Sequence, residues 1–190
     1  MKVRFFDATD IDLLEFDHSK TLFIVSKSKD TVPELDMWCK GELGFDVKTA
    51  EPITYREEDF MVGTGIKVAY PSDCLWGLYV LPRSSTSTKM GLTLSNSCGV
   101  IDPSYRGEIK LPFHVVDTKR FKNFCESHGG EIPIGIRMAQ CVLFATFRPN
   151  IKMYLTPLDV VVIVSDELYD GWEDLMPSYR GSGGFGSTGY

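Results

Sequence analysis

The sequence predicts an all-β chain of one domain, and three observations carry that reading. Between residues 44 and 84, short apolar stretches alternate with polar residues in the period of two that a half-buried strand requires. Pro52, Gly63, Gly65, Pro71 and Pro82 break these stretches into short pieces, the punctuation of a sandwich or barrel rather than of βαβ units. The 190 residues, 43% of them hydrophobic, suffice to bury a sizeable core within a single domain. Periodicity alone does not choose among β architectures.

Residues 1–40 form a leader in which MKVRFF and TLFIVSKS have strand-like apolar content. The acidic DATDIDLLEFDHSK between them suits a loop or a short helix. Further on, Phe45 and Val47 alternate with Asp46 and Lys48, Ile66-Lys67-Val68 repeats the pattern, and Trp76 to Leu81 is a longer apolar strand. Residues 91–109, GLTLSNSCGVIDPSYRGEI, read as a β-hairpin. Leu92 and Leu94 lie on one side, Val100 and Ile101 on the other, and Ser95-Asn96-Ser97 occupy turn-forming positions between them. Residues 110–116 continue as a strand, with Pro112 expected at an edge or a bulge because it has no N–H to give. DTKRFKNFCESHGGEIP is a polar spacer, helical or looped. A second spacer, residues 147–179, contains the strand-like DVVVIV and the acidic DELYDGWEDLMPSY. Five glycines in RGSGGFGSTGY leave the last residues nothing with which to pack a core, so 180–190 is expected as a flexible arm.

A formal net charge of -6 argues against a duplex-binding surface, because non-specific nucleic-acid affinity rests on neutralising many phosphates. A single free nucleotide needs only a few arginines and a divalent cation. The five cysteines, Cys39, Cys74, Cys98, Cys125 and Cys141, are odd in number and form no CxxC pair, which reads as reduced and mostly buried thiols. His18, His114 and His128 have no metal-ligand spacing. Neither a secretory segment nor an apolar run approaching ~18 residues is present. These features point to an intracellular protein, cytoplasmic, or nuclear in a eukaryotic or viral setting, with no stable nucleic-acid or membrane binding.

Asp102 and Tyr105, three residues apart, follow a strand in a short connection of the kind that carries chemistry. A neighbouring turn with partly unpaired backbone groups is able to read the edge of a flat ligand such as a nucleobase. The stretch from 91 to 109 closely resembles the third motif of the trimeric dUTPases. GFDV at 44–47 resembles the first motif, PRSS at 82–85 the second, GIRMAQ at 135–140 the fourth and RGSGGFGSTG at 180–189 the fifth. All five occur in family order over nearly the whole chain.

That resemblance implies a jelly-roll-like fold with short helical insertions, a single domain over 1–179 with 1–40 as a variable leader, and a lid arm at 180–190. It implies hydrolysis of dUTP to dUMP and pyrophosphate by attack of water on the α-phosphate, assisted by Mg²⁺, which limits uracil incorporation into DNA. Asp102 would orient and deprotonate the water and bond the sugar 3′-hydroxyl, with Gln140 beside it. Tyr105 would lie flat on the deoxyribose and leave no room for a 2′-hydroxyl. Asn96, with the main chain around Gly99 and Ile101, would bond the uracil edge, which makes base discrimination on the order of 10⁴ attainable. Arg83, Ser84 and Ser85 would hold phosphate oxygens, with Arg137 in support. Arg180 would swing over the phosphates as Phe185 covers the base, with Gly186, Ser187 and Thr188 alongside. Asp46 would hold waters on a Mg²⁺ ion bound mainly by the triphosphate, in keeping with the ion's reluctance to dehydrate.

On spacing alone, each of these residues has a plainer role. An Asp before Pro caps turns, a loop Tyr packs, a turn Asn serves its own backbone, and a strand Arg pairs with a neighbouring carboxylate. Two other functions compete. A dCTP deaminase shares the fold and an Arg-Ser-Ser run, but where its catalytic Glu stands on the strand after Asp-Pro, this chain has Pro112. A non-catalytic regulator on the same scaffold would need no reacting groups, and all are present here. The resemblance further implies a homotrimer in which one chain offers the base-reading turn, another the phosphate contacts and a third the arm.

Overall fold

Alternation of apolar and polar residues becomes alternation of burial in the computed structural model, which describes residues 2–7, 11–71, 76–145 and 158–184, with Met37 as backbone only. In chain order the elements begin with β1 (Lys2–Phe6), a 3-10 turn at Leu13–Glu15, β2 (Thr21–Ser26), a second 3-10 turn at Lys29–Thr31 and α1 (Asp36–Cys39). There follow β3 (Gly44–Lys48), β4 (Ile53–Thr54), β5 (Phe60–Gly63), β6 (Ile66–Ala69), β7 (Trp76–Pro82) and α2 (Ser84–Thr88). Next come β8 (Leu92–Leu94), β9 (Gly99–Ile101), β10 (Lys110–Val115), α3 (Thr118–Ser127), β11 (Glu131–Ile132) and β12 (Arg137–Ala145). The described chain closes with β13 (Asp159–Val164), α4 (Asp166–Asp170) and α5 (Trp172–Leu175). The fold is mostly β with short helices, as the sequence predicts.

The strands form sheets in the orders β1-β13-β2-β6, β5-β10-β8, β11-β4 and β3-β12-β7-β9. In the first, β13 lies parallel to both β1 and β2, pairing Asp159 with Lys2 on one side and with Thr21 on the other. This sheet is covered on both faces, which is why its central strands TLFIVS and DVVVIV are continuous apolar runs. Leu22, Ile24, Val160 and Val162 point into the main core. Phe23, Val25, Val161 and Ile163 point into a second core with Tyr169, Trp172 and Met176 from the α4–α5 region. β2 is buried along its whole length, so the leader is structural and its two strands lie where the sequence puts them.

The polar spacer after β10 resolves as α3. Asp117 starts it by accepting from the Arg120 N–H at 2.9 Å, and Phe121 and Cys125 are its buried side. Pro112 stands in the central strand of its sheet rather than at the expected edge: it is paired with Met61 of β5, and on the other side the β8 ladder stops at Phe113, with the Ser95 N–H donating to the Pro112 carbonyl at 2.8 Å and no N–H to return the bond. The acidic stretch between β1 and β2 contributes one 3-10 turn, capped by the Asp12 carboxylate on the Leu14 N–H.

The expected hairpin requires a correction. β8 and β9 have the predicted positions, but β8 pairs with β10 and β9 pairs with β7, in two different sheets. No ladder joins β8 to β9 among the described residues. The turn between them is a fork, because the packing demand of each strand is met by another partner.

Cys125 and Cys141 are buried, whereas Cys98 is half-buried and Cys39 exposed; Cys74 lies outside the described residues. Burial, with the Asp46 charge as a lesser cause, pushes the Cys141 thiol up to about 12. At pH 8 a thiol reagent is therefore expected to modify Cys39 and Cys98 in the folded protein and to spare Cys141 until denaturant is added, as read by peptide mass mapping. Trp172 is fully buried and donates its indole N–H to the Val68 carbonyl at 3.4 Å. Trp172→Ala is expected to lower unfolding free energy by about 3–5 kcal/mol in urea titration, the usual cost of emptying an aromatic core site.

Candidate active site

The fork between β8 and β9 opens a cavity of about 220 Å³. Val80, Leu94 and Ile101 make apolar walls, Asn96 and Gly99 stand at the turn, and Tyr105, Glu108, Lys110 and Pro112 line another side. Arg180 and Gly184 of the arm complete the lining. A volume below the ~300–1,000 Å³ of pockets for drug-sized ligands suits a base and its sugar. The turn is tight: Ser97 N–H donates to the Leu94 carbonyl at 3.0 Å, and Ser97 has φ 61°. Among the described residues it is the non-glycine with positive φ, a conformation costing about 1–2 kcal/mol. Gly99 lies against β7, where an added Cβ would sit 3.1 Å from the Val80 Cβ.

After β9 the chain turns through Asp102-Pro103-Ser104, closed by the Tyr105 N–H on the Asp102 carbonyl at 3.0 Å. Tyr105 is buried and its hydroxyl donates to the Glu108 carbonyl at 2.8 Å, which fixes the ring at the cavity wall. Burial, and then the Glu108 charge, raise its pKa, so it stays a neutral phenol. Gly107 makes this fold-back feasible, since a Cβ there would lie 2.6 Å from the Tyr105 hydroxyl. Asp102 is paired with Arg180, whose guanidinium also sits 5.6 Å from the Tyr105 ring centroid. Glu108 is held by the Gly65 N–H at 2.8 Å.

A second cluster forms where β12 lies between β3 and β7. The register puts Gln140 opposite Asp46 on one side and Leu81 on the other, and it shifts between Arg137 and Ala139. The Gln140 amide donates to the Pro82 carbonyl at 3.2 Å. Arg83 Nε donates to Asp46 Oδ1 at 2.8 Å, and its Nη1 donates to Ser85 Oγ at 3.2 Å. Arg137 Nη1 lies 3.5 Å from Asp46 Oδ2 and 3.1 Å from Glu34 Oε2, and Lys48 Nζ lies 3.6 Å from Glu34 Oε1. Three cations thus face two carboxylates, an excess that suits a phosphate chain. Ser84 is exposed where β7 gives way to α2, and the Ser85 position that departs from the motif is absorbed into that short helix.

Among the described residues there is no group of three or more His, Cys, Asp or Glu able to hold a metal by themselves. Asp46 is a lone carboxylate beside cations. That donor set fits a hydrated Mg²⁺ whose remaining ligands are phosphate oxygens, and it does not fit a bare ion.

The structure therefore brings together Asn96, Gly99, Ile101, Asp102, Tyr105 and Arg180 in one place, and Asp46, Arg83, Ser85, Arg137 and Gln140 in another. None of the second group lines the cavity of the first. Phe185, Gly186, Ser187 and Thr188 lie outside the described residues.

The sequence model of the dUTPase family matches residues 35–189, which spans every motif above and both clusters apart from Glu34. The chain belongs to the dUTPase family. Among its relatives, the deoxyuridine 5′-triphosphate nucleotidohydrolase of Leifsonia xyli subsp. xyli is 32% identical over 151 residues, covering 79% of this chain and 81% of the relative. The enzyme of the same name from Thermobifida fusca is 33% identical over 150 residues, covering 78% and 68%. The fold is similar to that of Streptococcus mutans dUTPase, with TM-score 0.51 and 24% identity over 66% of this chain and 93% of that one. It is similar also to a mutant dUTPase of Staphylococcus bacteriophage 80alpha with dUpNHpp, with TM-score 0.53 and 22% identity over 89% and 98%.

Within this dUTPase-family chain, sequence reading missed Glu34, Lys48, Glu108 and Lys110. Glu34 lies in the leader, and its N–H donates to the Asp46 carbonyl at 3.1 Å, a link between distant segments that no local pattern signals. Glu108 and Lys110 had a signal, because Glu108 directly follows the Asp-Pro-Ser-Tyr-Arg-Gly run and Lys110 lies two residues beyond it. Gly107→Ala is expected to destabilise the protein by about 1–3 kcal/mol by overpacking against Tyr105. It is also expected to displace the ring, lowering affinity for a deoxynucleotide in calorimetric titration while the Asp46 cluster stays intact.

Proposed function

We propose that this chain hydrolyses dUTP to dUMP and pyrophosphate, and that the base and sugar enter the fork while the triphosphate meets the Asp46–Arg83–Gln140 cluster. The observation that carries this reading is Asp102, which is anchored at the exit of β9 beside a cavity walled by turn backbone and the Tyr105 ring. The names of the relatives support the same reaction.

The edges of β8 and β9 that form no ladder with each other among the described residues, with Asn96, meet the uracil edge, and a wrong base leaves groups there without partners. Tyr105 is held too firmly to move aside for a 2′-hydroxyl. Arg180 is paired with Asp102. A triphosphate offers Arg180 a stronger anion, and its transfer frees the Asp102 carboxylate for water. Asp102 then takes a proton as the water oxygen bonds to the α-phosphorus and the bond to the bridging oxygen breaks, releasing pyrophosphate. Gln140 orients the same water, and Arg83, Ser84, Ser85 and Arg137 hold the phosphate oxygens. Asp46 would hold Mg²⁺ through water, and the ion when bound neutralises charge on the phosphates. Among solved dUTPases, that of phage phi11 of S. aureus is described with a structural Mg(II) ion.

The separation of the two clusters supports a homotrimer in which the turn pocket of one copy faces the cation cluster of another. Deamination of dCTP would need a general base where Pro112, an imide with no proton to exchange, lines the cavity. No helix among the described residues is long and apolar enough to cross a membrane.

Pyrophosphate release from dUTP is expected to require Mg²⁺ and to fall by about 10²–10⁴ in Asp102→Asn, which loses the base and keeps its shape. Ammonia release from dCTP, or binding of dUTP without turnover, would overturn this reading. Light scattering is expected to give a trimer mass, with turnover per chain falling as dilution drives the chains apart.

A further inference from the structure

The cation cluster contains one carboxylate that no motif supplies. Glu34 lies one residue ahead of the region that the family model matches, yet each of its side-chain oxygens faces a cation of the cluster. We propose that Glu34 is a positioning residue: it holds Arg137 and Lys48 off Asp46, so that Asp46 keeps one oxygen for the water shell of a Mg²⁺ ion. This rests on the site reading above.

The need for such a residue comes from an irregularity in β12. Arg137 and Gln140 are three residues apart, a spacing that puts them on opposite faces of a regular strand. The register shifts between them, with Arg137 opposite Lys48 and Ala139 opposite Val47, so Met138 is an extra residue. Met138 and Ala139 are both buried, and Arg137 emerges on the face that carries Gln140 and Asp46, as a bulge allows. The cost is a conflict of charge. Arg137 now stands directly across the ladder from Lys48, and like charges so placed repel.

Glu34 resolves that conflict. Its backbone is joined to β3 by an isolated antiparallel bridge to Asp46, in which the Glu34 N–H donates to the Asp46 carbonyl at 3.1 Å. Buried Pro33 and Leu35 on either side fix the segment. The carboxylate takes one cation on each oxygen: Lys48 Nζ lies 3.6 Å from Oε1, and Arg137 Nη1 donates to Oε2 at 3.1 Å. The same Nη1 lies 3.5 Å from Asp46 Oδ2, beyond the length of a charge-assisted hydrogen bond. Asp46 Oδ1 is taken by Arg83 at 2.8 Å, so Oδ2 is the oxygen at stake.

Without the Glu34 charge, Asp46 is the one carboxylate left among Arg83, Arg137 and Lys48, and Arg137 closes on Oδ2. Half-exposed pairs of this kind add little to stability. Their effect is on where the Arg137 guanidinium comes to rest. Glu34 touches no reacting atom; it acts through Arg137.

The test is calorimetric titration of the full-length protein with the dUTP analogue dUpNHpp, described with the bacteriophage 80alpha enzyme, in the presence and absence of Mg²⁺. Glu34→Gln keeps the shape of the side chain and removes its charge. In this variant the factor by which Mg²⁺ tightens binding is expected to fall on the order of ten-fold, as when an outer-shell partner of a metal site is lost. Metal-free affinity is expected to hold or to tighten, because the cations are then opposed by one carboxylate fewer. An equal loss with and without Mg²⁺ would make Glu34 merely structural and overturn its positioning role. An unchanged Mg²⁺ factor, or wild-type binding that Mg²⁺ does not tighten, overturns it too.

The route through Arg137 is read from a double-mutant cycle. On the Arg137→Gln background, Glu34→Gln is expected to change the Mg²⁺ factor by less than about two-fold, the limit within which independent effects are resolved. The full loss on that background overturns the route. A crystal structure of Glu34→Gln is expected to show Arg137 hydrogen-bonded to Asp46 Oδ2, and an Arg137 that stays in place overturns the proposal as well. Wild-type protein that releases no pyrophosphate from dUTP overturns the functional reading itself.

Discussion

The site depends on a single constraint: β8 and β9 are neighbours in sequence but are claimed by different sheets. Had they paired with each other, their facing backbone groups would be spent on a ladder and no cavity would lie between Leu94 and Ile101. Pairing β8 with β10 and β9 with β7 forces the turn at residues 95–98 to bridge two sheets, with Ser97 in a left-handed conformation. That local cost is small beside the ladders that impose it. Asp102 and Tyr105 inherit their positions from the same fork, because they begin where β9 ends.

Charge is distributed to suit a nucleotide rather than a polymer. The chain as a whole is acidic, at -6, yet Arg83, Arg137 and Lys48 outnumber the two carboxylates among them. The excess is local and reaches only as far as a short phosphate chain. The opposite pole, around Asp102, balances its carboxylate with Arg180. Each pole is internally paired, which keeps half-buried charges satisfied before a ligand arrives.

Much of this was legible in the sequence where neighbours along the chain decide the outcome. The strands at 44–48 and 66–69 follow from alternation, that at 76–82 from a longer apolar stretch, and the runs TLFIVS and DVVVIV became strands whose lack of alternation reflects burial on both faces. The five motifs placed Asp102, Tyr105, Asn96 and Asp46 on the elements where they stand. What the sequence hid were choices between distant partners. Nothing near Leu92 or Val100 says that the two strands part company, because the residues that win them, on β10 and β7, satisfy the same period. Nothing near Glu34 signals that it will share Arg137 with Asp46.

The insertion of β13 between β1 and β2 also orders events during synthesis. Among the described residues β1 has only β13 as a ladder partner, so it must wait, unpaired, until the distant β13 has left the ribosome. Such long-range parallel closure is slow, because the intervening loop must lose its entropy before any contact rewards it. Until then β1, with Phe5 and Phe6 side by side, leaves an apolar edge exposed to association. When β13 does slot home, it ties β1 to β2 and carries α4 and α5, which follow it, against the second core, so that one late pairing completes two layers at once.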